Sequence, residues 1–201
     1  LIKANVKICA THAGLTVGED GATHQANEDI ALMRAVPNMT VIQPCDGIET
    51  EAVIRAIAEY NGPVYVRMGR FAVENINDHP DYRFEIGKGV VIHEGSSPVL
   101  MVATGLMVQE SLAAIEILKE KGVDPTLINI HTIKPIDEEL ILRYAAGSDL
   151  VVSLEEHTVI GGLGSAVSET LARNCPRRQL FIGVNDVFGE SGTPKQLLDK
   201  Y

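Results

Sequence analysis

The sequence has few of the features that mark a membrane protein or a nucleic-acid-binding protein. No apolar run approaches the ~20 residues that a membrane-spanning helix needs, and no long apolar stretch follows Lys3 as it would in a signal peptide. Lysines and arginines are not clustered, and a formal net charge of −10 does not suit a surface that neutralises nucleic-acid phosphates. We therefore expect a cytosolic protein that binds no nucleic acid and no membrane. A small anionic ligand is still compatible with this composition if local positive groups converge on it.

Cysteines are also scarce. The three cysteines, Cys9, Cys45 and Cys175, are widely spaced and form no Cys-x-x-Cys pair. The sequence therefore supports neither a disulfide framework nor a zinc site. Cys9 lies in a short apolar run, so we expect its thiol to be buried and inert.

What the sequence does contain is a regular alternation of strand and helix patterns. A hydrophobic fraction of 45% over 201 residues is typical of a folded globular chain. In the first third, strand patterns lie at residues 6–10, 39–43 and 64–67. Helical patterns cover residues 25–36 and the stretch after Cys45, where Asp46 can cap the helix and Glu49 fits the reciprocal position of a capping box. This order predicts a right-handed parallel βαβαβ unit.

The periodicity fails from about residue 71 to residue 83, and a predicted linker at residues 73–88 leads to a second unit. Turn- and loop-forming residues dominate this stretch, so we predict a linker between a first domain, residues 1–72, and a second domain, residues 89–201. Five strand patterns follow, at residues 89–92, 99–103, 125–130, 150–154 and 180–184. The helical patterns between them predict a complete, small, doubly wound α/β domain.

The first domain is incomplete by comparison. Three strands and two helices are too few to bury a parallel sheet of the usual size. We expect that its beginning is missing, or that it leans on the second domain or on a partner chain for cover. The chain does not begin with methionine, which also indicates a fragment or a processed product.

Residues 11–25, THAGLTVGEDGATHQ, concentrate polar side chains in a stretch with neither a helical nor a strand period. We call this stretch the histidine loop, after His12 and His24. Its glycines, at positions 14, 18 and 21, disfavour a helix and predict a loop whose backbone can approach a ligand. Because the loop follows a predicted strand, it should lie at the carboxyl edge of a sheet, where open α/β sheets bind ligands. There an imidazole can donate to a ligand oxygen, and the Asp20 carboxylate can orient a hydroxyl.

The histidine loop has other possible interpretations besides a ligand site. The loop lacks the Gly-Lys-Ser/Thr of a Walker A motif and the pattern Gly-x-Gly-x-x-Gly. Zinc ligation by His12, His24 and an acid would lack the helical His-Glu-x-x-His geometry, so no metal ligand is predicted. The polar groups could also do no more than satisfy the backbone of the loop itself.

Arg67 ends the strand pattern Val-Tyr-Val-Arg and should stand at the same carboxyl edge as His12. A guanidinium there can clamp a phosphate through two parallel hydrogen bonds. An ion pair with one of the many acids is an equally good interpretation from spacing alone. Arg70, three residues on, is expected to be solvated.

Glu155, Glu156 and His157 follow a strand pattern of the second domain, and residues 161–164, Gly-Gly-Leu-Gly, open a helix. A helix amino terminus can bind an anion, but two acids directly before it argue against this use. Domain packing or a subunit interface is the predicted role of this segment.

Five stretches taken together resemble the transketolase family, and most closely the C-terminal subunit of split transketolases. They are THAGLTVGEDGATHQANEDIALMR, PNMTVIQPCDGIETEAVI, GPVYVRMGR, TIKPID and EEHTVIGGLGSAV. The resemblance implies the later part of the pyrimidine-binding domain for thiamine diphosphate, a partial parallel-sheet domain. It implies that the transketolase C-terminal domain, a small doubly wound α/β domain, follows.

The resemblance also implies an activity and roles for particular residues. Members of the family transfer a two-carbon ketol unit from a ketose phosphate to an aldose phosphate. By analogy, His12 and Arg67 would bind a substrate phosphate, Asp20 would contact a substrate hydroxyl, and His24 would be catalytic, beside the thiazolium carbon and the donor carbonyl. The implied partners are sugar phosphates, an N-terminal transketolase subunit or domain, and a second copy in a homodimer formed through the C-terminal domain.

The sequence departs from the family pattern in its first residues. In the family, a glutamate that protonates the aminopyrimidine ring, and the aromatic residues that pack on that ring, precede the stretch corresponding to Val6; here only LIKAN precedes it. The diphosphate and magnesium motif belongs to a further domain. We therefore expect an incomplete thiamine diphosphate site, Mg²⁺ held by a partner domain, and no turnover by the chain alone. The alternatives are a non-catalytic α/β module for dimerisation or assembly, a deoxyxylulose-phosphate synthase-like subunit, and a 2-oxoacid dehydrogenase β-like subunit.

Overall fold

The computed structural model describes residues 4–201 and contains two β-sheets with helices packed around them. The strands are β1 (Lys7–Ala10), β2 (Thr40–Ile42), β3 (Val64–Arg67), β4 (Val90–His93), β5 (Val99–Ala103), β6 (Thr126–Asn129), β7 (Thr132–Lys134), β8 (Leu150–Thr158) and β9 (Arg178–Val184). The helices are α1 (Asp29–Ala35), α2 (Gly47–Glu59), α3 (Met107–Glu120), α4 (Glu138–Ala145), α5 (Leu163–Asn174) and α6 (Pro194–Lys200), and a short 3-10 helix spans Leu15–Asp20. The predicted α/β class, with a partial parallel sheet followed by a doubly wound sheet, is confirmed.

The first sheet has the strand order β1-β3-β2-β7. Strands β1 and β2 both pair with β3 in parallel, as the alternating pattern predicts. The fourth strand comes from the second half of the chain, because β7 pairs antiparallel with β2. The first domain thus obtains part of its sheet from the second domain, which is one of the expected ways of completing it.

The second sheet has the order β4-β6-β5-β8-β9 and contains all five predicted strands. Strands β6, β5, β8 and β9 pair in parallel, whereas β4 is an antiparallel edge strand that pairs with β6 and not with β5, its neighbour in the chain. Strand β8 continues past its predicted end through Glu155, Glu156 and His157, whose side chains are buried. Polar residues can continue a buried strand when each finds a partner inside the protein.

One hydrophobic core joins the two sheets. A single cluster of buried side chains includes Ile30, Val41 and Tyr65 from the first domain and Leu100 and Ile128 from the second. Burial of apolar surface from both sides is the main term that holds the domains together. No helix among residues 4–201 combines the length and the apolar character that crossing a membrane requires.

At the start of α2, one of the two hydrogen bonds of the predicted capping box forms. Asp46 accepts a hydrogen bond from the Glu49 N–H at 2.7 Å, as expected of an N-cap. The Glu49 carboxylate accepts from the Cys45 N–H, also at 2.7 Å, and not from the cap itself. The second carboxylate oxygen of Asp46 accepts from the N–H groups of Ile76 and Asn77, each at 2.8 Å, so the predicted linker is tied to this helix.

The expectation that Cys9 is buried is wrong, since its side chain is exposed. Among the residues that the structure describes, β1 pairs only with β3 and lies at the edge of its sheet. The apolar side chains of Val6 and Ile8 are 51% and 41% exposed for the same reason. The apolar run therefore marked a strand correctly but did not show whether another element covers it.

Helix α1 is shorter than the predicted helical stretch of residues 25–36. The Gln25 side chain donates to the carbonyl of Leu15, and the Ala26 carbonyl accepts from the Gly14 N–H at 3.1 Å. These residues close the histidine loop, so the helix begins only at Asp29.

Candidate functional site

The histidine loop connects β1 to α1 at the carboxyl edge of the first sheet, as predicted. The 3-10 helix forms its middle, and Leu15 and Val17 within that helix are buried. His12, Asp20 and His24 are exposed. Apolar side chains therefore fix the loop to the protein, while the side chains of His12, Asp20 and His24 face solvent at the edge of the sheet.

The second domain holds the histidine loop from the side of α6. Leu15 packs with Leu197 of α6 in a small apolar cluster. The Gln25 amide donates to the carbonyl oxygens of Leu15 at 3.2 Å and of Glu190 at 3.0 Å. The shape of the loop thus depends on the carboxyl-terminal part of the chain.

The glycines of the loop approach the protein and not a ligand, which corrects the prediction for them. Gly14 and Gly21 have φ values of +84° and +77°, in the left-handed region that favours glycine. A Cβ atom on Gly14 would lie 2.4 Å from the carboxylate carbon of Glu156, and one on Gly21 would lie 2.5 Å from the Ser191 hydroxyl. These positions allow the loop backbone to touch the second domain.

Both histidines of the loop present one ring nitrogen to a neighbouring hydroxyl. Nδ1 of His12 is 2.9 Å from the Thr11 hydroxyl, and Nδ1 of His24 is 2.9 Å from the Thr23 hydroxyl. Among the described residues, Nε2 of either ring makes no hydrogen bond, so each imidazole can still contact a ligand. The structure leaves the predicted ligand roles of the two residues open.

The guanidinium group of Arg70 lies against the histidine loop. Its Nη1 donates to Oδ2 of Asp20 at 3.1 Å and to the carbonyl of Val17 at 2.8 Å. The Arg70 and Asp20 side chains are 44% and 49% exposed, so the prediction that Arg70 is solvated is confirmed. An ion pair this exposed contributes little to stability.

The predicted phosphate-binding role of Arg67 needs correction, because its guanidinium lies inside the protein. Arg67 ends β3 as predicted, but it is only 1% exposed. Its Nε is 3.0 and 2.9 Å from the two carboxylate oxygens of Asp29. Its Nη2 donates to the carbonyl oxygens of Ala26 at 2.8 Å and Glu156 at 3.0 Å. The alternative interpretation, an ion pair with an acid, therefore fits this geometry, and a phosphate clamp does not.

Glu155 supplies the anion at the amino terminus of α5. Its two carboxylate oxygens accept from the N–H groups of Leu163 at 2.6 Å and Gly164 at 2.8 Å. This internal contact occupies the helix end, in agreement with the argument against an anionic ligand there. Burial raises the pKa of Glu155 to about 7, against the opposing effect of the two N–H groups and of Arg67.

Glu156 and His157 contact the first domain, which confirms the domain-packing prediction for this segment. A carboxylate oxygen of Glu156 accepts from the Thr16 N–H at 2.6 Å. Nδ1 of His157 lies 2.7 Å from the Thr158 carbonyl, and Nε2 lies 3.4 Å from the Ala31 N–H. This pattern fits a neutral imidazole that donates through Nδ1 and accepts through Nε2. Burial lowers the pKa of His157 to about 4, and burial raises the pKa of Glu156.

A cleft of about 400 Å³ opens beside the histidine loop at the carboxyl ends of β1, β2 and β3. Its walls include Thr11, Gln43, Met68 and Phe71, and the described residues that line it include no lysine, arginine or histidine. A phosphate would therefore find its cationic partners outside the cleft, on the exposed face of the loop. Cys45 also lines the cleft, but burial raises the pKa of its thiol well above the ordinary range, so it is a poor nucleophile.

Metal-ligating side chains do not converge in the part of the chain that the structure describes. No three side chains of histidine, cysteine, aspartate or glutamate come together there as a metal ion would require. The zinc hypothesis for the histidine loop therefore has no geometric support.

Sequence reasoning missed Asp29 and the contact between Arg70 and the loop. Asp29 stands in the first turn of α1, where an acid is ordinary and draws no notice. Arg70 follows Gly69, which lies two residues after the end of β3, and a glycine near a strand end is a signal for a turn. That signal could have directed attention from Arg67 to Arg70.

Comparison with known proteins identifies both halves of the chain. The family description "Transketolase, pyrimidine binding domain" matches residues 1–75, and "Transketolase, C-terminal domain" matches residues 87–201. A protein of Methanocaldococcus jannaschii assigned as a transketolase C-terminal section is 54% identical over 201 residues, which cover 99% of this chain and 62% of that protein. A 1-deoxy-D-xylulose-5-phosphate synthase of Caldanaerobacter subterraneus is 38% identical over 99% of this chain and 32% of the synthase.

A solved structure has the same fold as the whole chain. It is described as a split-gene transketolase in an inactive β4 tetramer, and it matches with a TM-score of 0.90 and 49% identity over 99% of this chain and 63% of that one. The chain thus spans about three fifths of the length of these transketolase relatives.

Proposed function

The chain belongs to the transketolase family, whose members depend on thiamine diphosphate, and on this premise we propose that it supplies the substrate-facing part of a two-carbon transfer site. The reaction moves a ketol unit from a ketose phosphate to an aldose phosphate. One observation carries the proposal: His12, Asp20 and His24 are exposed on the histidine loop, and the Arg70 guanidinium lies against the same loop.

The exposed groups suit a phosphorylated sugar. Arg70 can bind phosphate oxygens through parallel N–H groups, and His12 can donate a further hydrogen bond to them. Asp20 accepts from a substrate hydroxyl, and its ion pair with Arg70 keeps the guanidinium on this edge. His24 donates to the carbonyl oxygen of the donor sugar and stabilises the negative charge that develops there. Arg67 supports the loop from inside the protein.

The exposed groups of the histidine loop suit the substrate side of a thiamine diphosphate site. When bound, the cofactor supplies the electron sink for breaking and forming the carbon–carbon bond. The exposed imidazole of His24 suits a contact with substrate at such a centre, whereas residues 4–201 offer no cluster of acids and histidines for a metal ion. We therefore propose that an N-terminal transketolase section holds the diphosphate and Mg²⁺, and that the site is completed when the two sections assemble.

Replacing Arg70 by alanine should raise KM for a ketose phosphate by roughly 10- to 100-fold, because one or two charge-assisted hydrogen bonds to the phosphate are lost. The measurement is the transfer rate of the chain mixed with an N-terminal transketolase section, as a function of donor concentration. Arg55→Ala is the matched control, since Arg55 is 77% exposed on α2 and, within residues 4–201, pairs with Glu51 alone. An unphosphorylated ketose should show little change in KM with either variant. Equal KM values for the ketose phosphate in both variants would contradict the role of Arg70.

The predicted homodimer through the second domain has one supporting observation. Strand β9 is an outer strand whose Leu180 is 51% exposed, and Phe188 just beyond it is 82% exposed. We propose that a second copy covers this surface, because exposed apolar patches of this kind mark protein interfaces. The double variant Leu180→Glu/Phe188→Glu should then convert a dimer into a monomer in light scattering, whereas Leu32→Glu, at a residue 65% exposed on α1, should not. A dimer that survives the double variant would place the interface elsewhere.

Two other functions are compatible with parts of these findings. The likeness to a 1-deoxy-D-xylulose-5-phosphate synthase at 38% identity makes that synthase activity the second candidate, and the identity of the product separates the two. A non-catalytic assembly module would show no dependence on Arg70 or His24 in any transfer assay.

A further inference from the structure

Glu156 is the point at which the second domain reaches the histidine loop. Its carboxylate accepts from the Thr16 N–H in the middle of the loop at 2.6 Å. Gly14 lies so close to this carboxylate that a Cβ atom could not fit between them. Glu156 is 4% exposed, and it belongs to the buried strand β8. A rigid strand of the second domain therefore fixes the conformation of a loop of the first.

Arg67 ties the carboxyl end of the loop to the same residue, Glu156. Its Nη2 donates both to the Glu156 carbonyl at 3.0 Å and to the Ala26 carbonyl at 2.8 Å. The Ala26 carbonyl also accepts a hydrogen bond from the Gly14 N–H at 3.1 Å, which closes the base of the loop. The guanidinium is held in turn by Asp29 at the start of α1. Every polar contact of this buried cation therefore runs to a boundary of the loop or to β8.

We propose that Glu156 and Arg67 are positioning residues, through which the second domain sets the conformation of the histidine loop and with it the places of His12, Asp20 and His24. The proposal rests on the proposed function for its consequence in catalysis, because those three residues would face the substrate. The physical reason is that both anchors are buried. If the loop left its position, the buried Glu156 carboxylate would lose the N–H donor of Thr16, and the buried Arg67 guanidinium would lose its acceptor at Ala26.

Glu155 provides a matched comparison within the same strand. It is also a buried glutamate that accepts backbone N–H groups, but its partners are Leu163 and Gly164 in α5 and not the loop. A variant at this position should disturb α5 and leave the histidine loop as it is. Comparison of variants at Glu155 and Glu156 thus separates an effect on the loop from a general loss of stability.

Hydrogen exchange on the intact chain tests the proposal directly. Glu156→Leu removes the acceptor of the Thr16 N–H, so exchange in residues 11–25 should become roughly tenfold faster, with little change in α5. Glu156→Gln retains an oxygen acceptor and should restore exchange to within about twofold of the wild type. Glu155→Leu should speed exchange at the start of α5 and leave residues 11–25 unchanged. Equal exchange of residues 11–25 in Glu156→Leu and Glu155→Leu would overturn the proposal.

Kinetics of the chain mixed with an N-terminal transketolase section give a second readout. Glu156→Leu should raise KM for the ketose phosphate by roughly tenfold, because the exposed groups no longer meet the substrate in one geometry. If Glu156 only stabilised the fold, its replacement would lower the fraction of active protein, and hence the apparent kcat, and would leave KM unchanged. If the wild-type mixture shows no transfer, the proposed function fails, while the exchange experiment still decides whether Glu156 positions the loop.

Discussion

Two neighbouring substitutions in β8 should give the protein opposite dependences of stability on pH. With Glu155 replaced by glutamine, the free energy of unfolding should fall as the pH is lowered, and with His157 replaced by glutamine it should fall as the pH is raised. Each effect should amount to about 3 kcal/mol across its pH window, because a shift of one pKa unit corresponds to about 1.4 kcal/mol. In the wild type, the two effects on the free energy of unfolding should nearly cancel over the pH range in which both groups act.

The signs follow from the direction of each pKa shift. Burial raises the pKa of Glu155 from 4.5 to about 7, so the folded state binds a proton more readily than the unfolded state and loses stability as the pH rises through this window. Burial lowers the pKa of His157 from 6.5 to about 4, so the unfolded state binds the proton more readily and the folded state loses stability as the pH falls through this window. The two windows overlap between 4.5 and 6.5, where the effects offset each other.

Denaturant unfolding at a series of pH values and constant ionic strength measures these slopes. The difference between each variant and the wild type isolates the group that was removed, since all other titrating groups are common to both proteins. Glu120→Gln, at an exposed position near the end of α3, should follow the wild-type curve. Slopes in Glu155→Gln and His157→Gln that match the wild type would show that neither group has the shifted pKa assigned to it.

The sequence was sufficient to predict every described strand except β7, because each of the others contains a short apolar run between turn-forming residues. It could not predict that β7, in the stretch Thr-Ile-Lys, crosses to the first sheet and pairs with β2. That pairing depends on contacts far apart in the chain, and no local pattern encodes them. For the same reason the exposure of Cys9 was missed, since an apolar strand has the same sequence whether it lies at an edge or in the middle of a sheet.

The candidate site was predicted in part. The histidine loop was located by its composition, and its place at the carboxyl edge of a strand followed from the order of the elements. The roles of Arg67 and Arg70 could not be assigned from spacing, because β3 is buried along its whole length and alternation gives no outward face. The partner of the inner arginine, Asp29, lies in a helix start that reads as an ordinary capping position. The proposed roles of His12, Asp20 and His24 stay predictions.

The largest expected effect on activity concerns assembly. We expect that the chain alone shows no two-carbon transfer, and that addition of an N-terminal transketolase section produces it. The physical reason is that positioning of substrate against the cofactor contributes several orders of magnitude to the rate, and we propose that an N-terminal section holds the diphosphate of that cofactor.

His24→Ala is the matched variant for this experiment, because His24 is exposed and its loss should leave the fold intact. In the assembled protein it should lower kcat by roughly 10²-fold or more, as removal of a hydrogen-bond donor to a developing negative charge does in other enzymes. His79→Ala, at an exposed histidine of the linker region, should leave the rate unchanged.

The measurement that tests the central claim most directly is transfer of a two-carbon unit from a ketose phosphate to an aldose phosphate, with thiamine diphosphate and Mg²⁺ present, by the chain alone and by the chain mixed with an N-terminal transketolase section. The account predicts transfer in the mixture, none by either part alone, and a large loss in the His24→Ala mixture. Robust transfer by the chain alone, or an active mixture that does not need His24, would contradict it.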